Sequence, residues 1–156
     1  MTTASVSEPI PETISRQQAE ILALFESIGK AHHDKNAPAI VAAYAPDAVV
    51  FNLAPPLRSQ MMTDAAQVKA WLDTWDGPVE REARNFEIII KDDLAICYGY
   101  YRLGGSPKSA GRKVSFWMRA TVCLSRSEGK WRIVHEHTSV PFYMDGSLRP
   151  AFDLEP

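Results

Sequence analysis

Cysteine is scarce in this chain: there are 2 in 156 residues, Cys97 and Cys123. They form no CxxC or zinc spacing, which excludes a disulfide scaffold and a cysteine zinc site. Both stand in apolar, strand-like runs and read as buried free thiols. Charge of one sign is missing too. Lys and Arg total 17 against 19 Asp and Glu, for a net charge of −2, and the two signs are interspersed. No basic stripe is present to neutralise phosphates, so nucleic acid is not an expected partner. No apolar run reaches the roughly 20 residues of a membrane span. Met1 to Pro11 lacks the basic start and apolar stretch of a secretory leader, so the expectation is a cytoplasmic, reduced protein that is not in the membrane. A Gly-rich phosphate loop and a nucleotide fingerprint are both absent, so no organic cofactor is expected.

What is present is apolar and aromatic. Hydrophobic residues make up 46%, with four Trp, five Tyr and six Phe, enough for the core of one domain. Residues 1–13, with Pro9 and Pro11, read as a loose tail. Ser15 to Gln18 matches a capping box. Ile14, Gln18, Ile21, Leu22, Phe25, Ile28 and His32 recur at helical spacing, predicting a helix to about Asp34. His32-His33 reads as its end, where positive charge suits the dipole. Asn36 caps a short second helix containing Pro38, Ile40, Val41 and Tyr44. Asp47 to Leu53 reads as a strand, broken by Ala54-Pro55-Pro56. A third helix starts near Thr63 or Asp64, places Val68, Trp71, Leu72 and Trp75 on one face, and stops at Gly77-Pro78. Val79 to Lys91, Leu94 to Leu103, Arg112 to Ser125 and Lys130 to Pro141 then read as strands. Asp92-Asp93, Gly104-Gly105-Ser106-Pro107 and Ser127-Glu128-Gly129 separate them as turns. Helices followed by a meander of long strands make an α+β domain over residues 14–145. The aromatic tail after it, residues 146–156, is expected to pack on the body or on a partner subunit.

Chemistry concentrates in Trp131-Arg-Ile-Val-His-Glu-His-Thr-Ser-Val-Pro141. Strict strand alternation puts Trp131, Ile133, His135, His137 and Ser139 on one side. Two imidazoles and a hydroxyl on one face can supply acid, base or metal ligand. HxH alone lacks the third ligand that a metal site needs, so no metal is expected. The preceding strand offers two faces, Ser115, Trp117, Arg119, Thr121, Cys123 or Val114, Phe116, Met118, Ala120, Val122, Leu124. Periodicity alone does not choose between them.

Trp71…Trp75-Asp-Gly-Pro, Trp117-Met-Arg-Ala-Thr121 and the His135-Glu-His137 strand, in this order of elements, resemble the nuclear transport factor 2-like superfamily. The similarity is to its SnoaL-like, ketosteroid-isomerase-like branch. The resemblance implies a cone: helices packed on a strongly curved antiparallel sheet, with an internal pocket and a homodimer through the convex face. It implies that Trp117, Arg119 and Thr121 face the cavity beside His135 and His137, with Val114, Phe116, Met118 and Val122 on the convex side. On that phasing Glu136 points away and no carboxylate of the last two strands reaches the cavity. A proton-moving site must then use His135 or His137 as base.

Two functions follow as expectations. One is an isomerase- or lyase-like enzyme acting on a small apolar or aromatic carbonyl compound. His135 or His137 would move the proton, and Arg119, Asn52 or Tyr98 would hold the developing oxyanion. The other is a non-catalytic ligand-binding or dimerising assembly module. Phe51, Asn52, Met61 and Met62 are expected at the pocket mouth beside a Pro-rich loop. Trp71 and Trp75 are read as core or as a lid. Tyr98 and Tyr100 can put a hydroxyl in the pocket, with Tyr101 facing away. Trp117, Thr121 and Ser139 complete the expected lining. Arg119 either clamps a substrate oxygen or pairs with Asp47, Asp64 or Glu87, and Arg102 is read first as a salt bridge.

Overall fold

The computed structural model describes residues 12–156, with side chains from Arg16 onward. Of the tail expected over residues 1–13, residues 1–11 lie outside the described residues, as does the Ser15 side chain of the expected capping box, and Glu12 and Thr13 are already helix. Helix α1 (Glu12–His33) buries Ile21, Phe25, Ile28 and His32, a single stripe at helical spacing. The helix is already formed at Glu12, so Ser15–Gln18 falls inside it and not at its start. Helix α2 (Ala37–Ala42) begins where the Asn36 side chain accepts from the Ala39 N–H at 3.1 Å. A single 3₁₀ turn, Met61–Thr63, leads into α3 (Ala65–Leu72), which is capped by the Asp64 carboxylate on the Ala66 and Gln67 N–H groups. Helix α3 ends at Leu72, short of Gly77-Pro78, because strand β2 (Trp75–Lys91) runs through that dipeptide.

Strands β1 (Tyr44–Phe51), β3 (Leu94–Pro107), β4 (Val114–Ser127) and β5 (Lys130–Ser139) complete one curved sheet in the order β1-β5-β4-β3-β2. Strands β2 to β5 form an antiparallel meander, and β1 lies parallel to β5. Gly104 to Pro107, expected as a turn, is strand: Ser106 pairs with Asp76 and Pro107 with Trp75. Gly105 sits at φ 142, and a Cβ there would lie 2.9 Å from the Pro78 carbonyl oxygen, so two strand segments cross closer than any other residue allows. A Cβ on Gly29 would come within 2.6 Å of the Arg81 carbonyl oxygen. Glycine therefore lets α1 lie directly on β2.

The helices cover one face, and the core fills the space between. Ile21, Ile28, Ile40, Val68 and Leu72 from the helices meet Val79, Val122, Leu124 and Ile133 from the sheet, all at 0% exposure. Each such side chain contributes about 1.5–3 kcal/mol by leaving water. Cys97 lies on this inner face and Cys123 on the outer one, which keeps both thiols free.

One residue overturns the alternation expected of β5. Leu124 pairs with Ile133 while Cys123 pairs with His135, so Val134 is an extra residue, a β-bulge. Before it, Trp131 and Ile133 face inward and are buried; after it, Glu136 and Thr138 do. His135, His137 and Ser139 are therefore turned outward, since a one-residue slip exchanges the faces of everything that follows. Strand β4 follows suit: Met118, Ala120 and Val122 face the helices, while Trp117, Arg119 and Thr121 face out. The wholly apolar set, given to the convex side by the resemblance, is the core set because it is the one that loses water.

Candidate functional site

The expected site residues are split between two faces. Met62 and Trp75 are buried in the core on the helix side. Trp71, half-buried there, meets Trp75 edge-on at 5.9 Å and the His32 ring at 6.0 Å. The other expected residues gather outside. His137, Arg119, Thr121 and Tyr98 are exposed, with His135, Trp117, Ser139 and Phe51 half-buried around them. Phe51 presents its ring edge-on to His135 at 4.7 Å and to His137 at 5.5 Å. The His135 Nδ1 lies 2.7 Å from the Val49 carbonyl oxygen; a carbonyl only accepts, so that nitrogen carries the proton. Arg119 donates from Nε to the Ser139 Oγ at 3.1 Å and makes no ion pair with Asp47, Asp64 or Glu87. Arg102 pairs with Glu82 at 2.9 Å. Tyr98 donates to Glu87 at 2.9 Å, and Trp117 lies under the Arg84 guanidinium at 4.3 Å. The Pro-rich loop, with Phe51, Asn52 and His137, walls an outer cavity of about 730 Å³.

Inside, the bulge brings a different constellation together. The Glu136 carboxylate accepts from Arg81 Nη2 at 2.9 Å and from the Tyr44 hydroxyl at 3.2 Å. The Arg81 side chain is 7% exposed and that of Glu136 6%, so this pair is withdrawn from water and costly to break. The guanidinium lies 3.9 Å from the centre of the Tyr101 ring, and Tyr101, at 1% exposure, faces in and not away. A register shift between Arg84 and Glu87 in β2 turns Phe86 inward to stack on Phe25 at 4.9 Å and Tyr101 at 5.1 Å. His32 closes the cluster from the end of α1.

Protonation states here are held by burial. Desolvation first, and the Arg81 charge second, lower the His32 pKa to about 3, so His32 is neutral at pH 7. Its Nδ1 lies 2.7 Å from the Ile28 carbonyl oxygen and donates to it, which leaves Nε2 as a bare acceptor. Burial, then the Glu136 charge, raises the Tyr44 hydroxyl well above its ordinary value. Burial raises Tyr101 as well. Burial works against the Arg81 charge, but the Glu136 carboxylate beside it more than compensates, and its pKa is raised.

Among the described residues three buried side-chain atoms find no hydrogen-bond partner: Arg81 Nη1, the Tyr101 hydroxyl and Trp131 Nε1. Two of the three belong to this one cluster. A buried donor left unpaired costs about 1–3 kcal/mol, so the interior holds donor capacity suited to an acceptor oxygen. Arg81 also lines a groove of about 580 Å³ between α1 and β2, with Leu22, Phe25, Lys30, His33 and Ala83 around it. Of the cluster only Arg81 borders this groove; Glu136, Tyr101, Tyr44 and His32 do not line it.

Sequence reasoning missed Arg81, pointed Glu136 away and turned Tyr101 outward; it placed Tyr44 in the core and His32 at the helix end correctly, but gave His32 a charge that burial removes. The available signal was the burial stripe of α1, which runs Ile21, Phe25, Ile28, His32 and so carries a histidine into the core.

Residues 21–143 match the SnoaL-like domain; the chain belongs to that family. It is similar to a nuclear transport factor 2-like protein of unknown function from Pseudomonas putida KT2440. That relative is 31% identical over 91% of this chain and 98% of its own, with a TM-score of 0.77. A putative calcium/calmodulin dependent protein kinase II association domain from Xanthomonas campestris is 20% identical over 88% of this chain and 91% of that one, with a TM-score of 0.62. A hexachlorocyclohexane dehydrochlorinase, LinA type 2, is 12% identical over 81% and 86%, with a TM-score of 0.70. The last two show the fold alone, and their different labels carry no activity across to this chain. No curated protein matches it. Among the described residues no helix is long and apolar enough to cross a membrane.

Proposed function

We propose that this protein handles a small apolar carbonyl compound, with its oxygen held by Arg81 and Tyr101 and its proton moved by Glu136. One observation carries the reading: a buried carboxylate stands beside two buried donors that lack partners. It replaces the histidine base expected from the sequence, because both histidines lie on the other side of the sheet. The general logic is that of an enolising isomerase, a carboxylate base with tyrosine-type oxyanion donors. The carboxylate takes the proton on the carbon next to the carbonyl. The bond electrons pass to the oxygen as an enolate held by Arg81 Nη1 and the Tyr101 hydroxyl, and the same carboxyl returns the proton to another carbon. Donors already fixed in a water-poor site need no reorganisation when that charge develops.

The test is turnover and exchange. Wild type should isomerise cyclic β,γ-enones, or exchange their α-protons for deuterium by NMR, and Glu136→Gln should reduce the rate by about 10²–10⁴-fold. A second reading, ligand binding without turnover, is favoured by the Arg81 pairing that occupies Glu136 Oε2. Binding of enones that survives in Glu136→Gln, with no exchange in either protein, would select it and sink the enzyme reading.

We also infer a homodimer through the outer sheet face. Ile96, Tyr98 and Tyr100 stand exposed there at 49%, 41% and 37%, next to Trp117 and Arg119, a composition typical of interface centres. A two-fold axis near the middle strands sets β2, with Glu82 and Glu87, against β4, with Arg119. Sedimentation of Ile96→Glu should give a monomer; unchanged mass would remove this face from the assembly.

A further inference from the structure

The cavity on the outer side of β1 is separate from the interior cluster and asks for a ligand of its own. Its wall is the excursion Leu53 to Arg58, pinned at its base by paired hydrogen bonds between Val50 and Ser59 at 2.9 and 3.0 Å. The floor is Phe51, whose ring stands edge-on to His137. The volume, about 730 Å³, lies within the range of roughly 300–1,000 Å³ typical of small-molecule sites. Leu57 is 97% exposed and Leu53 41%, an apolar rim with no packing partner to explain it. Arg58 and His137 share the same space. Among the described residues neither makes a hydrogen bond to another side chain, and Arg58 makes no ion pair, a freedom it shares with Arg112, Arg132 and Arg149, while Arg81, Arg84, Arg102, Arg119 and Arg126 each have a partner.

We propose that this cavity binds a small amphiphilic carboxylate, its head on Arg58 and His137 and its apolar body along Leu53, Pro56 and Leu57. The guanidinium offers the planar fork that matches a carboxylate. A single cation with one imidazole suits one negative charge better than the two of a phosphate monoester. The face is opposite to that of Glu136 and Tyr101, so the site stands independently of the interior chemistry.

Decanoate, below its micelle-forming concentration, is the probe, with uncharged methyl decanoate as comparison. Calorimetry of the full chain should show saturable decanoate binding that weakens at least tenfold in Arg58→Gln and in the ester. Amide shifts in labelled protein should concentrate at residues 51–58 and His137. Arg58 is exposed, so the variant should melt with wild type, and an equal melting temperature verifies that the comparison is between folded proteins. Equal affinity for acid and ester, equal affinity in Arg58→Gln, shifts centred on Tyr44, Tyr101 and Glu136, or no saturable binding would each overturn the proposal.

Discussion

The two faces of β5 carry neighbouring residues under opposite physical regimes. Outside, His135, His137 and Ser139 sit beside Thr121 and Arg119, within reach of water. Inside, Glu136 and Thr138 are 5% and 8% exposed; burial holds His32, Tyr44 and Tyr101 neutral, while the Glu136 carboxylate keeps Arg81 charged. Outer groups remain free to meet a partner or ligand at modest cost. Inner groups persist only because each charge has a counter-charge, and the few that lack partners stand out. Charged chemistry read from a strand therefore depends first on which face it occupies, and in this protein a single inserted residue decides that.

The most severe way to break the comparison is to delete Val134. Removing the bulge would turn His135 and His137 toward the core and Glu136 toward solvent, leaving Arg81 buried without its anion. Loss of cooperative unfolding, or no soluble protein, is expected by circular dichroism and expression; a native-like melt would show that the bulge does not set the register. Arg81→Leu comes next. It strands the Glu136 charge, and removal of one member of a buried pair costs about 3–5 kcal/mol. Denaturant titration should show this loss, while Arg119→Leu on the outer face should change the midpoint little. Equal effects would erase the distinction between the faces.

His32 sharpens the comparison with pH. Its pKa is about 3 folded against about 6.5 unfolded, so below pH 6.5 the unfolded chain binds the proton and the folded one does not. Stability from the neutral imidazole is thus complete above pH 6.5 and is lost as pH falls toward 3, by up to about 1.4 kcal/mol per unit. Between pH 6.5 and 5, His32→Leu should remove on the order of 1–2 kcal/mol of this pH dependence. A slope unchanged in His32→Leu would place the acid sensitivity elsewhere. The smallest effect belongs to Tyr101→Phe. The hydroxyl has no partner to lose, so stability should hold within about 0.5 kcal/mol or rise slightly, whereas enone affinity should fall. A large destabilisation would reveal a structural hydrogen bond and weaken its role as a ligand donor.

Much of the fold was legible because its signals are local. The stripe Ile21, Phe25, Ile28, the caps Asn36 and Asp64, and the strand-rich second half each rest on neighbours within a few residues. The SnoaL-like resemblance rested on Trp71…Trp75-Asp-Gly-Pro, Trp117-Met-Arg-Ala-Thr121 and the His135-Glu-His137 strand. Where the reading failed, the cause was non-local. Gly104 to Pro107 looks like a turn until Trp75 and Asp76 arrive to pair with it. Tyr101 looks like an outward residue until Phe86, displaced by its own register shift, makes room for an inner aromatic cluster.

By itself the sequence determined an α+β chain of one family, with helices first and a meander after, because amphipathic period and capping chemistry are written along the backbone. It also put two histidines on the last strand, next to the strand that carries Arg119. Which of them meet was decided only in the tertiary structure. The Val134 bulge depends on how β5 registers against β4, and Arg81, Tyr44 and His32 come from three elements far apart in the chain. Burial then held His32 and Tyr44 neutral and Glu136 kept Arg81 charged, since desolvation and close charges act on a group only once the rest of the fold has closed around it.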